Sequence, residues 1–165
     1  MKLRTGFTLI ELLVVIALVA ILATTAVPSM IDFVRRNRLV TQTNEVVRAI
    51  NLARSEAVKR SEQVSLCPSS DQATCNGGTD WTTGWIAFID SGSAGSPTVD
   101  EVLRVWDERG PSMVLNGPAE LQYAASGAVL NAASFTVKYT GCEGEHERTI
   151  NVNTVGRPET TPSSC

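Results

Sequence analysis

An uncharged run from Leu12 to Ile31, apolar apart from a few Thr, Ser and Pro, follows directly on a carboxylate, Glu11. A stretch of about 20 residues without charge is long enough to cross a bilayer as a helix. The first element of the fold is therefore expected to be a long helix with a membrane-spanning half, and Glu11 is the anomaly at its start. A charged side chain in lipid costs about 3 kcal/mol on insertion scales, so such a carboxylate reads as a functional group that requires a partner. A free amine is the partner of opposite charge.

Cutting the chain between Gly6 and Phe7 creates that amine four residues before Glu11, about one helical turn away. The residues Gly6-Phe7-Thr8-Leu9-Ile10-Glu11-Leu12, behind the short basic leader Met1-Lys2-Leu3-Arg4-Thr5, resemble the processing site of type IV prepilins and pseudopilins. The resemblance implies that a prepilin peptidase removes residues 1–6 and methylates the new N-terminal Phe7. It also implies that Glu11 pairs with the N-terminal amine of a neighbouring subunit as a filament grows. A secretory signal peptide would end in a small-x-small site after an apolar core of about 7 to 15 residues. Ala23-Thr24-Thr25-Ala26 matches that loosely and the core here is longer. A plain single-span anchor leaves Glu11 without a purpose.

The overall charge of −3 conceals a split. Residues 1–60 carry nine Lys/Arg against four Asp/Glu, and residues 61–165 carry five against thirteen, a formal −8. Affinity for nucleic acid comes largely from Lys and Arg neutralising phosphates, so the acidic part disfavours DNA on average and only a local basic patch could restore it. Lys2 and Arg4 precede the apolar run, which places the leader in the cytoplasm and the remainder in the periplasm. Pro28 removes a backbone donor and crowds the preceding turn, so a kink or local melting is expected there, either as a hinge or as an ordinary bend.

From Asp32 the pattern turns amphipathic. Leu39, Thr43, Val46, Ile50, Ala53 and Ala57 recur at spacings of four and three, one stripe of a helix on which a head domain can pack. Arg35, Arg36, Arg38, Arg48 and Arg54 lie largely off it, as a solvated face or as contacts to lipid headgroups or acidic neighbours. After Lys59-Arg60 the period changes to two. Gln63–Leu66, Trp85–Asp90, Val102–Asp107, Ser112–Leu115, Ser134–Thr140 and Arg148–Asn153 read as strands, separated by Gly-, Asn- and Pro-rich turns. The expected fold class is α+β: a helix over 7–60, transmembrane over about 9–31, with a small antiparallel sheet head over 61–165 packed on its amphipathic half.

Four cysteines, Cys67, Cys75, Cys142 and Cys165, all follow the apolar segment. In an oxidising compartment they read as disulfides, with three pairings open. Cys67–Cys75 and Cys142–Cys165 are favoured, because the first two flank a turn-rich loop and the last closes the C-terminal tail. A zinc site is disfavoured by the lack of Cys-x-x-Cys and by a single histidine, His146, in an acidic turn. Asp71 to Asp80 lacks the alternating oxygen ligands of a calcium loop. No metal, cofactor or catalytic constellation is expected.

Cys67-Pro68-Ser69-Ser70-Asp71, Cys75, Trp81 and Gly84-Trp85-Ile86-Ala87-Phe88-Ile89-Asp90 resemble the GspH/FimT group of minor pilins and pseudopilins, with the two tryptophans read as core. Three functions follow from that resemblance. The first is a minor pilin of the FimU kind at the tip of a type IV pilus, priming assembly for twitching or adhesion, with other minor pilins and the major pilin as partners. The second is a DNA-uptake pilin of the FimT kind, whose basic Gly-Arg-x-Arg motif is met only in part by Gly156-Arg157-Pro158-Glu159. Arg157 is then the DNA contact, and DNA is the weaker partner. The third is a GspH pseudopilin of type II secretion.

Overall fold

The computed structural model of the chain describes residues 8–142, 144 and 146–165, with backbone alone at positions 25 and 28. Its first element is α1, Leu9–Arg60. The segment contains no glycine and is rich in Leu, Ala and Arg, good helix formers. Thr8 starts it: its Oγ1 accepts the Glu11 N–H at 3.3 Å, the first half of a Thr-x-x-Glu capping box. Ser61 ends it in the left-handed region at φ 58°, and the Glu62 N–H reaches back to the Ala57 carbonyl at 3.3 Å. That bond is the signature of a Schellman end. Lys59 and Arg60 in the last turn complement the helix dipole and both engage Glu56, at 3.7 and 2.8 Å.

The chain forms two compact units, divided between Arg38 and Leu39. In the first, every large apolar side chain from Leu9 to Val34 is exposed, from 78% at Leu9 to 36% at Val34. This stretch is long and apolar enough to cross a membrane. In the second, Leu39, Thr43, Val46, Ile50, Ala53 and Ala57 form the stripe their spacing indicates, joined by Ala49, and all are 3% exposed or less.

Among the described residues eight strands follow α1: β1 Val64–Pro68, β2 Trp85–Asp90, β3 Val99–Trp106, β4 Met113–Asn116, β5 Leu121–Tyr123, β6 Ala133–Tyr139, β7 Glu147–Val152 and β8 Pro158–Ser163. They make two four-stranded antiparallel sheets, ordered β3-β2-β1-β5 and β4-β6-β7-β8. Six strands are expected from the sequence, so two are additions. β5 is three residues long and buried throughout, too short to show a period. β8 reads Pro-Glu-Thr-Thr-Pro-Ser, a composition that argues against a strand. It is tolerated because β8 is an edge, bonded to β7 alone, where missing proline donors cost no second ladder. β3 starts at Val99 rather than Val102, and its pairing with β2 skips Leu103 and Asp100 at two register shifts, opposite Ala87/Phe88 and Ile89/Asp90.

The main core joins the α1 stripe to one face of each sheet: Val64, Leu66, Trp85, Ala87, Leu121 and Tyr123 from the first, Met113, Leu115, Phe135, Val137, Ile150 and Val152 from the second. The opposite face of β1 and β2 is buried too. Cys67, Ile86 and Phe88 form a second cluster with Cys75, Val99 and Val102. These central strands are therefore buried on both faces and lose the expected alternation of burial, with Ser65 and Asp90 as their polar members. Trp81 and Trp85 are core residues at 1% and 0% exposure. The Trp81 Nε1–H donates to the Pro118 carbonyl at 2.8 Å while its ring meets Phe135 edge-on at 4.9 Å, and Trp85 stacks on Trp106 at 5.7 Å. Gly84, at φ 99°, brings the chain into β2 where a Cβ would lie 2.7 Å from the Trp106 carbonyl, so only glycine fits.

Candidate functional site

The residues singled out for processing, Gly6 and Phe7, lie outside the described residues. Glu11 occupies the third helical position behind the Thr8 cap and is exposed in the single chain. A carboxylate there also faces the positive end of the helix dipole. The sequence signal for this second role, Thr8-x-x-Glu11, sits inside the processing motif and is easily overlooked. At position 28 the backbone stays helical, so the local melting expected at Pro28 is absent from the isolated chain. Proline removes a single backbone donor, and the helix continues unbroken on both sides of it.

Two disulfides are present, Cys67–Cys75 and Cys142–Cys165, with Cα atoms 5.6 and 5.9 Å apart. The first closes a loop organised by Asp71, whose carboxylate accepts the Ala73 N–H, the Thr74 N–H and hydroxyl, and the Ser69 hydroxyl. Those bonds, the Thr74 hydroxyl first, hold the Asp71 carboxyl well below its ordinary value. The second pins the end of β8, and His146 stands half-buried just before β7. Among the described residues no group of three or more His, Cys, Asp or Glu could hold a metal ion.

Arg157 is exposed in the turn between β7 and β8. The turn is rigid. The Gly156 N–H donates to the Asn153 carbonyl at 2.8 Å, the Arg157 N–H to Asn153 Oδ1 at 3.0 Å, and the Tyr123 hydroxyl to the Gly156 carbonyl at 3.2 Å. Burial pushes the Tyr123 phenol up, which keeps it a neutral donor. Gly156, at φ 81°, would place a Cβ 2.4 Å from the Gly127 carbonyl, and Arg54 Nε donates to that same carbonyl at 3.1 Å. Arg157 shares an open cavity with Glu159. Other cations of the head are engaged: Arg109 with Glu45 at 3.1 Å and over the Trp85 ring at 4.5 Å, Lys138 with Glu147 at 3.3 Å, Arg104 over the Trp106 ring at 5.6 Å. No second arginine stands beside Arg157 in sequence, but Arg54 Nε lies 3.3 Å from the point where a Cβ of Gly156 would stand.

Sequence reasoning did not find the polar cluster beneath the Ser91–Pro97 turn. Asp90, 4% exposed, accepts the Ser65 hydroxyl at 2.6 Å, Gln122 Nε2 at 3.0 Å, and the Gly92 and Thr98 N–H groups at 2.8 and 2.9 Å. Burial pushes the Asp90 carboxyl up, but these donors together outweigh it and hold it below its ordinary value. Burial and the neighbouring Asp90 charge push the Glu120 carboxyl up. The three groups come from β2 and from β5 with its approach, so no local motif announces them.

Comparison with known proteins agrees with this architecture. Residues 42–156 match the family model described as type II transport protein GspH, and residues 1–27 match the prokaryotic N-terminal methylation motif. Two fimbrial proteins of Pseudomonas aeruginosa are each 37% identical over 71 residues, 43% of this chain and 46% of each relative. The match thus spans less than half the length of those relatives. Among solved structures, the type IV minor pilin FimU of Pseudomonas aeruginosa superposes with a TM-score of 0.62 at 21% identity, covering 79% of this chain and 92% of that one. The minor pseudopilin EpsH of the Vibrio cholerae type 2 secretion system superposes at 0.50 and 10% identity, covering 75% and 94%. At these identities the likeness is one of fold. With the head and the N-terminal motif matched in turn, the chain belongs to the GspH family of pilin-like proteins, structural rather than enzymatic.

Proposed function

We propose that this protein is a minor pilin of a type IV pilus, incorporated at the filament tip, where it primes assembly. The observation that carries the reading is the N-terminal half of α1, apolar and exposed on every side, with one carboxylate at its capped start. Such a surface needs lipid or other apolar helices around it. In this reading the leader is removed before Phe7 by a prepilin peptidase, Phe7 is methylated, and the helix rests in the inner membrane with the head in the periplasm. Glu11 then receives a neighbour's N-terminal amine as subunits move outward, and Pro28 acts as a hinge when helices pack. The fimbrial relatives support a pilus over a secretion pseudopilus.

The test is a strain lacking the chain, complemented with a tagged copy. The proposal expects few surface filaments without it and label at filament ends with it. Normal filament numbers with impaired protein secretion would overturn it in favour of the type II pseudopilin. A DNA-uptake role would show as salt-sensitive DNA binding that collapses in Arg157→Ala, since phosphate contacts release counterions. The acidic balance of residues 61–165 and Glu159 beside Arg157 argue against such binding.

A further inference from the structure

A sheet edge presents unpaired N–H and C=O groups, and folded proteins ordinarily close such edges. The two sheets have four edges, formed by β3, β5, β4 and β8. Three of them are closed. On β4 the Leu115 carbonyl accepts the Trp81 N–H at 2.8 Å, and on β5 the Gln122 carbonyl accepts the Leu130 N–H at 3.2 Å. Just before β8 the Arg157 carbonyl accepts the Asn153 N–H. The alternation of an antiparallel ladder then turns Pro158, Thr160 and Pro162 outward, and two of these three have no N–H to offer. β3 is the exception. The Asp90 N–H donates to the Gln63 carbonyl at 3.0 Å and the Gly84 carbonyl accepts the Ser69 N–H at 2.9 Å, so Trp85, Ala87 and Ile89 turn their backbone groups to β3. Their partners are Trp106, Arg104 and Glu101. Val105 therefore points its N–H and C=O away from the sheet, where among the described residues no backbone partner meets them. Both register shifts lie before Arg104, so residues 104–106 are a regular stretch of open edge.

The side chains that flank Val105 say what would pair there. Arg104 and Trp106 lie opposite the core residues Ala87 and Trp85, so they stand on the sheet face that α1 covers. With Glu45, Arg48 and Leu52 of α1 they line a cavity of about 250 Å³. The Glu45 charge is matched by Arg109 at 3.1 Å. Arg48 and Arg104 are both exposed, and neither forms an ion pair among the described residues. Residues 61–165 hold thirteen acidic side chains against five basic ones, yet none of them answers these two guanidiniums. Guanidiniums select carboxylates, and an open edge selects an extended backbone whose alternate side chains fall on one face. A free anion would leave the Val105 groups unpaired. A nucleic acid brings no strand and is repelled by the acidic head. We propose that the outer edge of β3 docks an extended acidic segment of another protein. The segment adds as a strand at Val105 and sets a carboxylate against Arg48 and Arg104, with Leu52 and Trp106 under its apolar part.

The test uses the full-length ¹⁵N-labelled chain in non-ionic detergent, titrated with the peptide acetyl-Thr-Glu-Val-Glu-Val-Thr-amide. It reads the Leu52 and Val105 amide shifts and the hydrogen exchange of the Val105 N–H. No filament is involved, so the outcome is independent of the pilin reading. Saturable shifts are expected, with Val105 exchange slowed about tenfold or more at saturation. The same peptide with glutamine in place of glutamate should bind roughly tenfold more weakly, the loss of a charge-assisted bond. Arg48→Gln and Arg104→Gln should each weaken the acidic peptide by a similar factor. Val105→Pro keeps both guanidiniums and removes only the outward N–H, a change that an edge strand tolerates, and it should abolish the Leu52 shift. Unmoved resonances of Phe135 and Ile150 verify the fold of each variant. Equal binding of the glutamine peptide, unslowed exchange at Val105, or undiminished binding to Val105→Pro would overturn the proposal. Protection of Val105 that grows with the concentration of the chain itself, without peptide, would put a second copy on the edge and overturn it as well.

Discussion

The two halves of α1 share one continuous helix and opposite surroundings. From Leu9 to Val34 no large apolar side chain is covered, whereas from Leu39 to Ala57 a narrow stripe of seven residues is almost wholly enclosed by the chain's own sheets. Helix propensity alone does not separate them. What separates them is the arrangement of apolar residues: all round in the first, confined to one face in the second. The first half therefore carries surface meant for lipid or for neighbouring helices, and the second supplies the head with its core.

Substitutions can break this division. Ile50→Ala, at 0% exposure, should cost about 3 kcal/mol of head stability, read as a lower urea midpoint by tryptophan fluorescence. Ile16→Ala should leave that midpoint within about 0.5 kcal/mol, as exposed positions do. Equal losses in both would mean that the halves are not energetically distinct. Next in size, replacing Cys67 and Cys75 with serine opens a loop of sequence separation 8 and should cost about 2.5 kcal/mol on the chain-entropy account. An unchanged midpoint would show that the Asp71 hydrogen bonds alone hold the loop.

A smaller effect depends on pH. Glu120 binds its proton more tightly in the folded head than in the unfolded chain. Its contribution is thus favourable below the unfolded value of about 4.3 and is lost as pH rises through the higher folded value. Glu120→Gln should consequently raise the melting temperature at neutral pH, with the gain shrinking as pH falls toward about 4. A gain of the same size at both pH values would assign it to packing instead. Smallest of all, Arg157→Ala should leave head stability within about 0.5 kcal/mol, because its backbone N–H, rather than its guanidinium, holds the turn.

The long helix and its buried stripe were legible in the sequence because periodicity at 3.6 residues survives in any context that buries one face. β5 and β8 were not. Leu121–Tyr123 is too short for a period, and Pro158–Ser163 has a loop's composition that only an edge position permits. The two-sided burial of β1 and β2 arises from a second cluster under the Cys67–Cys75 loop, a tertiary fact. Glu11 stands out in the sequence as a lone carboxylate at the start of an apolar helix, and the spacing from Thr8 to Glu11 also marks the Thr8 cap. The Asp90, Glu120 and Gln122 cluster was invisible because its members meet only when β1 pairs with both β2 and β5.

The charge of Glu11 decides the most direct experiment. Glutamine preserves the capping-box pattern, since Gln serves at the third helical position as Glu does, but it removes the charge. Glu11→Gln should be measured for membrane retention and for its amount in sheared filaments relative to wild type. If the charge receives a neighbour's amine, the variant stays in the membrane with a folded head and is scarce in filaments. Wild-type abundance in filaments would contradict that account.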